Sequence, residues 1–284
     1  MKRKNSVFLL LAAVIWGVAF VAQSAGMEYV GGFTFNCIRS LLGGVVLLPV
    51  FWLHREKNQG SFWKRNKTLL TGGICCGVVL GIASNLQQQG IRYTSVGKAG
   101  FITALYIVLV PFFGLFLHKK VGRLVWIGLF FAVSGLYFLC MDGQFTVGRG
   151  DLLMLLCAAV FAVHILVVDH FAPLVNGVAL SCVQFFTCGV LSGIPMLLFE
   201  QVSMEALAGA AVPILYAGVM SCGVAYTLQI VGQKNMNPTV ASMILSLESV
   251  VSVLAGQLIL QQRLTNTELL GCGLMFVAVV LAQL

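Results

Sequence analysis

One carboxylate, Glu248, stands in the middle of an otherwise apolar and small-residue stretch, ASMILSLESVVSVLAG at 241–256. A charge in hydrocarbon costs at least about 2.5–3.5 kcal/mol on insertion scales, so such a group faces a cavity or a partner. Two chemistries suit it there: exchange of a proton during transport, or an anchor for a substrate ammonium. The structural alternatives are a pair with Arg39, or hydrogen bonds from Ser246 and Ser249. Arg39 lies about two turns in from the end of its own apolar run, and at ~1.5 Å of rise per residue its depth differs from that of Glu248 by roughly one turn. It reads as a gating or structural charge, able to snorkel toward an interface or lock an outer gate.

The remaining polar groups in apolar surroundings are few. His164, in AAVFAVHILVV, titrates near neutral pH when unperturbed; a lone His in such a helix also reads as a satisfied hydrogen-bonding group. Asn85 and Gln88, with Gln87 and Gln89, crowd one end of the third apolar run, and Gln229 and Gln233 the opposite end of the eighth. These form opposed polar mouths, with Gln89 and Gln233 read as solvated helix ends. Trp16, Tyr106 and Tyr226 offer flat faces with a polar edge, suited to the wall of a small-molecule site or to packing. Thr103 joins them as a candidate substrate contact, and Lys98 reads as an interface cation. Four His without mutual spacing and nine Cys without a paired framework predict no metal site and no cofactor. The thiols read as small buried apolar groups. No nucleotide-binding Gly-x-x-x-x-Gly-Lys-[Ser/Thr] loop, His-Glu-x-x-His or Gly-x-Ser-x-Gly occurs, which argues against ATP-driven pumping by this chain alone.

The elements that must position these groups follow from composition. The 284 residues are 59% hydrophobic and 9% charged, with mean hydropathy +0.98, whereas a soluble domain carries about 25% charged residues. Too little polar surface remains to cover a globule in water. A membrane helix needs about 20 apolar residues, and ten such runs are predicted at about 6–23, 33–53, 69–88, 98–117, 124–141, 151–168, 178–199, 208–231, 239–260 and 267–284. Continuous runs such as FLLLAAVIWGVAFVA exclude the alternating strands of a β-barrel. The fold class is therefore an all-α integral membrane protein with ten transmembrane helices. The opening residues also resemble a secretory leader, but their core pattern returns later in the chain, which a disposable leader would not require.

The net charge of +8 does not point to nucleic acid, because of where the cations lie. Lys2, Arg3 and Lys4 precede the first run; Arg55, Lys57, Lys64, Arg65 and Lys67 lie between the second and third; Lys119, Lys120 and Arg123 lie between the fourth and fifth. This bias places the N-terminus, and with ten spans the C-terminus, in the cytoplasm of a multi-pass cell-membrane protein. In the second half Lys234 falls inside and Arg149 and Arg263 outside, so orientation rests on the first half.

The two halves resemble each other. AAV at 12–14 returns at 158–160, and the same offset pairs Asn5 with Asp151, Gly43 with Gly189 and Pro49 with Pro195. A slightly shorter offset lays LHKKVGRLVWIG at 117–128 over LQQRLTNTELLG at 260–271. A five-helix unit used twice divides the chain into residues 1–143 and 144–284. Because five is odd, the second copy would enter the membrane inverted, the arrangement associated with alternating access around a midplane site. Gly73, Gly77 and Gly81, like Ala217, Ser221 and Ala225, form small-residue faces for close helix packing.

AAVIWGVAFVAQ, FTFNCIRSLLGG and GIRYTSVGKAGFITALYIVLVP, with SLESVVSVLAG and RLTNTELLGCGLMFVAVVL near the end, resemble EamA-type members of the drug/metabolite transporter (DMT) superfamily over essentially the whole chain. The resemblance implies export or exchange of small polar metabolites, typically amino acids and related compounds, in a bacterial cytoplasmic (inner) membrane without ATP hydrolysis. Its partners would be the substrate, the lipid bilayer, and protons or a counter-substrate. Two departures stand out. Gln261-Gln262-Arg263-Leu264 replaces the family's common Gly-Glu-Arg-Leu, and Ser249 stands where many members have Pro, which removes an expected kink at Glu248. The contrasting readings are an intramembrane enzyme using Glu248 and His164 as acid and base on a lipid or small molecule, and a non-transporting subunit with a sealed core.

Overall fold

The computed structural model describes residues 2–53, 62–94, 96–117, 122–139, 148–260 and 266–283, and every regular element among them is helical. The chain runs through α1 (Lys2–Gly26), α2 (Gly32–Leu53), α3 (Phe62–Ile91), α4 (Val96–Ala104), α5 (Tyr106–Phe116), α6 (Arg123–Leu139), α7 (Arg149–Phe171) and α8 (Gly177–Phe199). It continues through α9 (Met204–Gly209), α10 (Ala211–Leu215), a π-helical segment (Tyr216–Ala225), α11 (Tyr226–Gln233), α12 (Pro238–Leu245), α13 (Glu248–Leu260) and α14 (Asn266–Gln283). Among the described residues, eight helical stretches are long and apolar enough to cross a membrane, and two of the ten expected spans appear there as the shorter apolar stretches Arg123–Gly135 and Leu269–Leu281. Cys140, the cations Arg55, Lys57, Lys119 and Lys120, and the 261–264 loop lie outside the described residues. The N-terminal run is no appendage: Leu9, Ala12 and Ala13 are fully buried, and α1 packs on α11, the π-segment and α13.

Local chemistry sets the helix ends. Asn176 caps α8 by accepting from the backbone N–H of Val178 at 3.0 Å and Ala179 at 3.1 Å. Asn237 caps α12 through Thr239 N–H at 2.9 Å, ahead of Pro238 in the first turn, where a missing N–H is harmless. Asn235 between α11 and α12 has φ 60°, a left-handed conformation that Asn tolerates better than most residues. The N-terminus of α2 is capped from a distance. Glu200, just past α8, accepts from Phe33 N–H at 3.1 Å, Thr34 N–H at 2.7 Å and the Thr34 hydroxyl at 2.6 Å. An anion at a helix N-terminus also meets the positive end of the helix dipole.

The most extensive packing joins first-half and second-half helices: α6 with α14, α2 with α8, α3 with α7 and α8, and α1 with α13. The glycine face of α3 lies against α8. A methyl group on Gly77 would come 2.5 Å from Thr187 Cβ and 2.6 Å from the Gln184 carbonyl oxygen, so backbone approaches backbone there. Gly73 meets Val183 and Gly81 meets Leu191 in the same seam. Polar glue runs alongside it. Asn36 donates to the Ser84 carbonyl and to Asn85 Oδ1, both at 2.9 Å, and Asn85 donates to the Gly81 carbonyl at 2.9 Å and Ser192 Oγ at 3.0 Å. Lys98, expected as an interface cation, is instead ion-paired at 2.7 Å with Asp151, which also accepts from Gly148 N–H at 2.9 Å.

Two helices are broken, and one corrects an expectation. Without proline after Glu248 a straight helix is expected, yet α12 ends at Leu245 and α13 starts at Glu248. Serines take the place of the proline. The hydroxyls of Ser242, Ser246, Ser249 and Ser252 each donate to the carbonyl three residues back, at 2.7–2.8 Å. Such back-bonding competes with the backbone ladder and bends helices, and Leu247 and Ser249 N–H bond three residues back instead of four. The other break falls at Leu105, between α4 and α5. Leu105 N–H reaches the Ile102 carbonyl at 3.2 Å, and Pro111 downstream removes the donor that would serve Ile107. The 143-residue offset of the sequence repeat lays Glu248 on Leu105 (248 − 143 = 105), beside Tyr106.

Candidate substrate cavity

The two breaks deliver their first half-helix residues, Tyr106 and Glu248, to one narrow cavity. From α1, Trp16, Phe20 and Gln23 line it at the i, i+4, i+7 spacing of one helix face. Arg39 of α2, Gln87 of α3 and Thr103 of α4 enter from the first half; Phe161 and Ile165 of α7, Ser221 of the π-segment, Tyr226 and Gln229 of α11 and Leu245 of α12 enter from the second. The π-segment is wider than an α-helix: Tyr226 N–H bonds the Ser221 carbonyl five residues back. π-turns recur at functional sites, and this one leads directly into the Tyr226–Gln229 face.

Aromatic packing holds the wall. Tyr226 is the hub, with its ring centroid 4.6 Å from that of Trp16, 5.3 Å from Phe185 and 6.1 Å from His164. Tyr216 in the π-segment donates to the Ile15 carbonyl at 3.1 Å, fixing the segment against α1 beside Trp16. Gln87 donates weakly to Thr103 Oγ1 at 3.4 Å.

Both charged groups are buried, each 5% exposed. They do not satisfy each other: no ion pair joins Arg39 to Glu248 or to any other described carboxylate. Arg39 lies over the Phe35 ring, 5.5 Å from its centroid, a cation–π contact that holds its position. The Ser246 and Ser249 hydroxyls, expected as partners for Glu248, are spent on backbone carbonyls. The Tyr106 phenol approaches the Glu248 carboxylate without reaching hydrogen-bond geometry. Around the cavity Trp16 Nε1, Gln23 Oε1, Arg39 Nε, the Tyr106 hydroxyl and Gln229 Oε1 are buried and make no hydrogen bond within the protein. Buried polar groups are normally paired; five of the ten unpartnered buried side-chain atoms among the described residues belong to residues of this lining.

The cavity gathers Trp16, Thr103, Tyr106, Tyr226, Gln229 and Glu248 from the expected set and adds Arg39, which sequence alone places at a gate. Asn85, Gln88 and His164 are not in its lining. Asn85 belongs to the α2–α3–α8 network; Gln88 donates to the Gln23 carbonyl at 3.2 Å. His164 is wholly buried behind Tyr226, with Nε2 3.3 Å from Gln184 Oε1. Gln233, expected as a solvated end, is fully buried and donates to the Ile165 carbonyl at 2.9 Å. Phe20 and Gln23, whose spacing from Trp16 puts them on the same face of α1, and Ser221, expected in a packing face, also line the cavity.

The membrane-length apolar helices make this a multi-pass membrane protein with a cavity among them. The chain belongs to the EamA-like transporter family, whose model matches it twice, over residues 4–141 and 148–284. It is 29% identical over 277 residues to an uncharacterized transporter of Archaeoglobus fulgidus, covering 97% of this chain and 84% of that one. It is 21% identical over 280 residues to the uncharacterized transporter YoaV of Bacillus subtilis, with 94% of each chain covered. The uncharacterized transporter YwfM of the same organism is 25% identical over 281 residues, covering 95% and 90% of the two chains. A solved crystal structure shares the fold at TM-score 0.79 and 17% identity, over 98% of this chain and 96% of that one.

Proposed function

We propose that this protein is a secondary active transporter that exports small polar metabolites, amino acids and related compounds above all, by alternating access around the cavity. The observation that carries this reading is the meeting of two broken helices, one from each half, whose half-helix starts Tyr106 and Glu248 line one cavity. Discontinuous helices facing a midplane site recur in transporters built from inverted repeats. The two family matches, at residues 4–141 and 148–284, support the division into two related five-helix units, the second inverted. In this account the N- and C-termini are cytoplasmic, the membrane is the cell membrane, and Glu248 exchanges a proton or meets a substrate cation during each cycle.

The experiment is flux in proteoliposomes. The wild-type protein is expected to accumulate or exchange a labelled metabolite, chosen by comparing intracellular and extracellular pools with and without overexpression. Glu248→Gln, inserted and folded, is expected to lose coupled flux. Wild-type rate and pH dependence in that variant would remove Glu248 from the mechanism. The acid–base enzyme alternative has less support, since His164 is held by Gln184 behind Tyr226 and not on the cavity wall with Glu248.

A further inference from the structure

We infer that the ion pair between Lys98 and Asp151 is a latch that holds the α3–α4 end of the resting protein shut, so that the cavity opens first toward the α11–α12 end. This rests on the transport reading and adds a regulation of its cycle. Two joints, each tying a first-half helix to a second-half helix, carry the inference. At one, the start of α7 lies on the end of α3: a methyl group on Gly90 would come 3.2 Å from the Gly150 carbonyl oxygen. At the other, the start of α1 lies on the end of α11: a methyl group on Gly232 would come 3.0 Å from the Asn5 carbonyl oxygen. Gln88, beside the first joint, donates to the Gln23 carbonyl of α1 at 3.2 Å, and Gln233, beside the second, donates to the Ile165 carbonyl of α7 at 2.9 Å. The joints share a backbone geometry, which makes their chemistry comparable.

They differ in charge. At the first joint Asp151 accepts from Lys98 Nζ at 2.7 Å, and the Thr94 hydroxyl lies 3.5 Å from its other carboxylate oxygen. Asp151 is buried, so the pair is screened less than one wholly in solvent. The sequence repeat pairs Asp151 with Asn5, whose neutral amide donates to the Lys234 carbonyl at 3.0 Å in exposed surroundings. Lys98 is the third residue of α4, and the third residue of α12 is Val240. Neither charge of the pair recurs at the matching positions. An exposed neutral hydrogen bond exchanges for one to water with little net change. The first end has a further tie between the halves: Gly32 at the start of α2 abuts Gln89, and Glu200, just past α8, accepts from Phe33 and Thr34 N–H there. A conformational equilibrium shifts only by a difference in free energy between its states, and the ion pair supplies one by forming when the first end is closed.

The test uses the full-length protein with its nine native cysteines replaced and Ser221→Cys on the cavity wall, in intact and inverted vesicles without solute. A membrane-impermeant thiol reagent gives a labelling rate through each end, and Arg92→Cys in the exposed α3–α4 turn, in a separate preparation, shows which side that end faces. Labelling should be faster through the α11–α12 end. Asp151→Asn, which keeps an acceptor for Gly148 N–H, and Lys98→Gln should each raise the relative rate through the α3–α4 end by roughly twofold to fivefold, the range for a part-exposed ion pair. The double variant should move it no further than either single, because each alone already breaks the pair. Raising the ionic strength should shift the parent protein the same way by screening and leave the double variant unmoved; this arm stands even where a variant fails to insert. Faster labelling of the parent through the α3–α4 end overturns the inference, as do an unmoved ratio in both single variants, additive effects in the double variant, or a parent indifferent to salt. Labelling through both ends with an unmoved ratio overturns the latch alone. Labelling through one end only, in every preparation, overturns the transport reading with it.

Discussion

Tyr106 and Glu248 hold matching places in two broken helices: each is the first residue of a second half-helix, and both line one cavity. The break before Glu248 runs through a ladder of serine hydroxyls, while the helix that follows the break at Leu105 carries Pro111. This pairing predicts that Tyr106→Phe, which keeps the ring and removes the free hydroxyl, lowers flux about tenfold, on the order of 1.4 kcal/mol. Thermal unfolding in detergent should be nearly unchanged, because that hydroxyl makes no hydrogen bond within the protein. Equal loss of stability and flux would contradict it.

The serine ladder separates stability from activity. Ser246→Ala removes a hydroxyl that competes for the Met243 carbonyl, so the helix should straighten and the fold gain a few tenths of a kcal/mol, about 0.3–0.5, as Ala outranks Ser in helices. Flux should fall several-fold as Glu248 turns away from the cavity. The check is melting temperature alongside transport rate for the same preparation.

Close approach in the α3–α8 seam makes Gly77 intolerant of added bulk. Gly77→Ala would force a methyl group against the Gln184 carbonyl and Thr187, at a cost of about 1–3 kcal/mol. Gly273→Ala in α14, where a methyl group meets nothing within 4 Å, should be neutral or slightly stabilising. Unfolding of both variants in detergent gives the comparison directly.

At the helix ends, the two acids should differ from the exposed cation. Glu200→Ala strips three hydrogen bonds from the start of α2 and should cost about 1–2 kcal/mol. Lys98 is 39% exposed in its side chain, so Lys98→Met should cost no more than about 1 kcal/mol. Asp151→Ala should cost more than Lys98→Met, because Asp151 also caps α7 through Gly148 N–H. Unfolding at low and high salt ranks the three.

Hydropathy made the helices legible, since each apolar run is long relative to its polar breaks, and rarity made Glu248 legible. Trp16, Tyr106, Tyr226 and Gln229 followed from residue type and depth. What escaped depends on the facing half of the chain. Gln233 looks like a solvated helix end until a neighbouring helix covers it. Whether Arg39 pairs with Glu248 turns on the relative rotation of α2 and α13, which no one-dimensional spacing encodes. The break before Glu248 was hidden because serines serve as helix packing residues as readily as they bend a helix. His164 and Asn85, polar in apolar surroundings, are each held in a hydrogen bond away from the cavity lining.

Access of one cavity to both aqueous sides is the claim on which the account stands. Ser221 lies on the cavity wall, and Ser221→Cys in a background with the nine native cysteines replaced reports on it. A membrane-impermeant thiol reagent should label this cysteine from the outside in intact vesicles and from the inside in inverted ones, with transported solute slowing both. Labelling from one side only, under every solute and pH condition, would contradict alternating access.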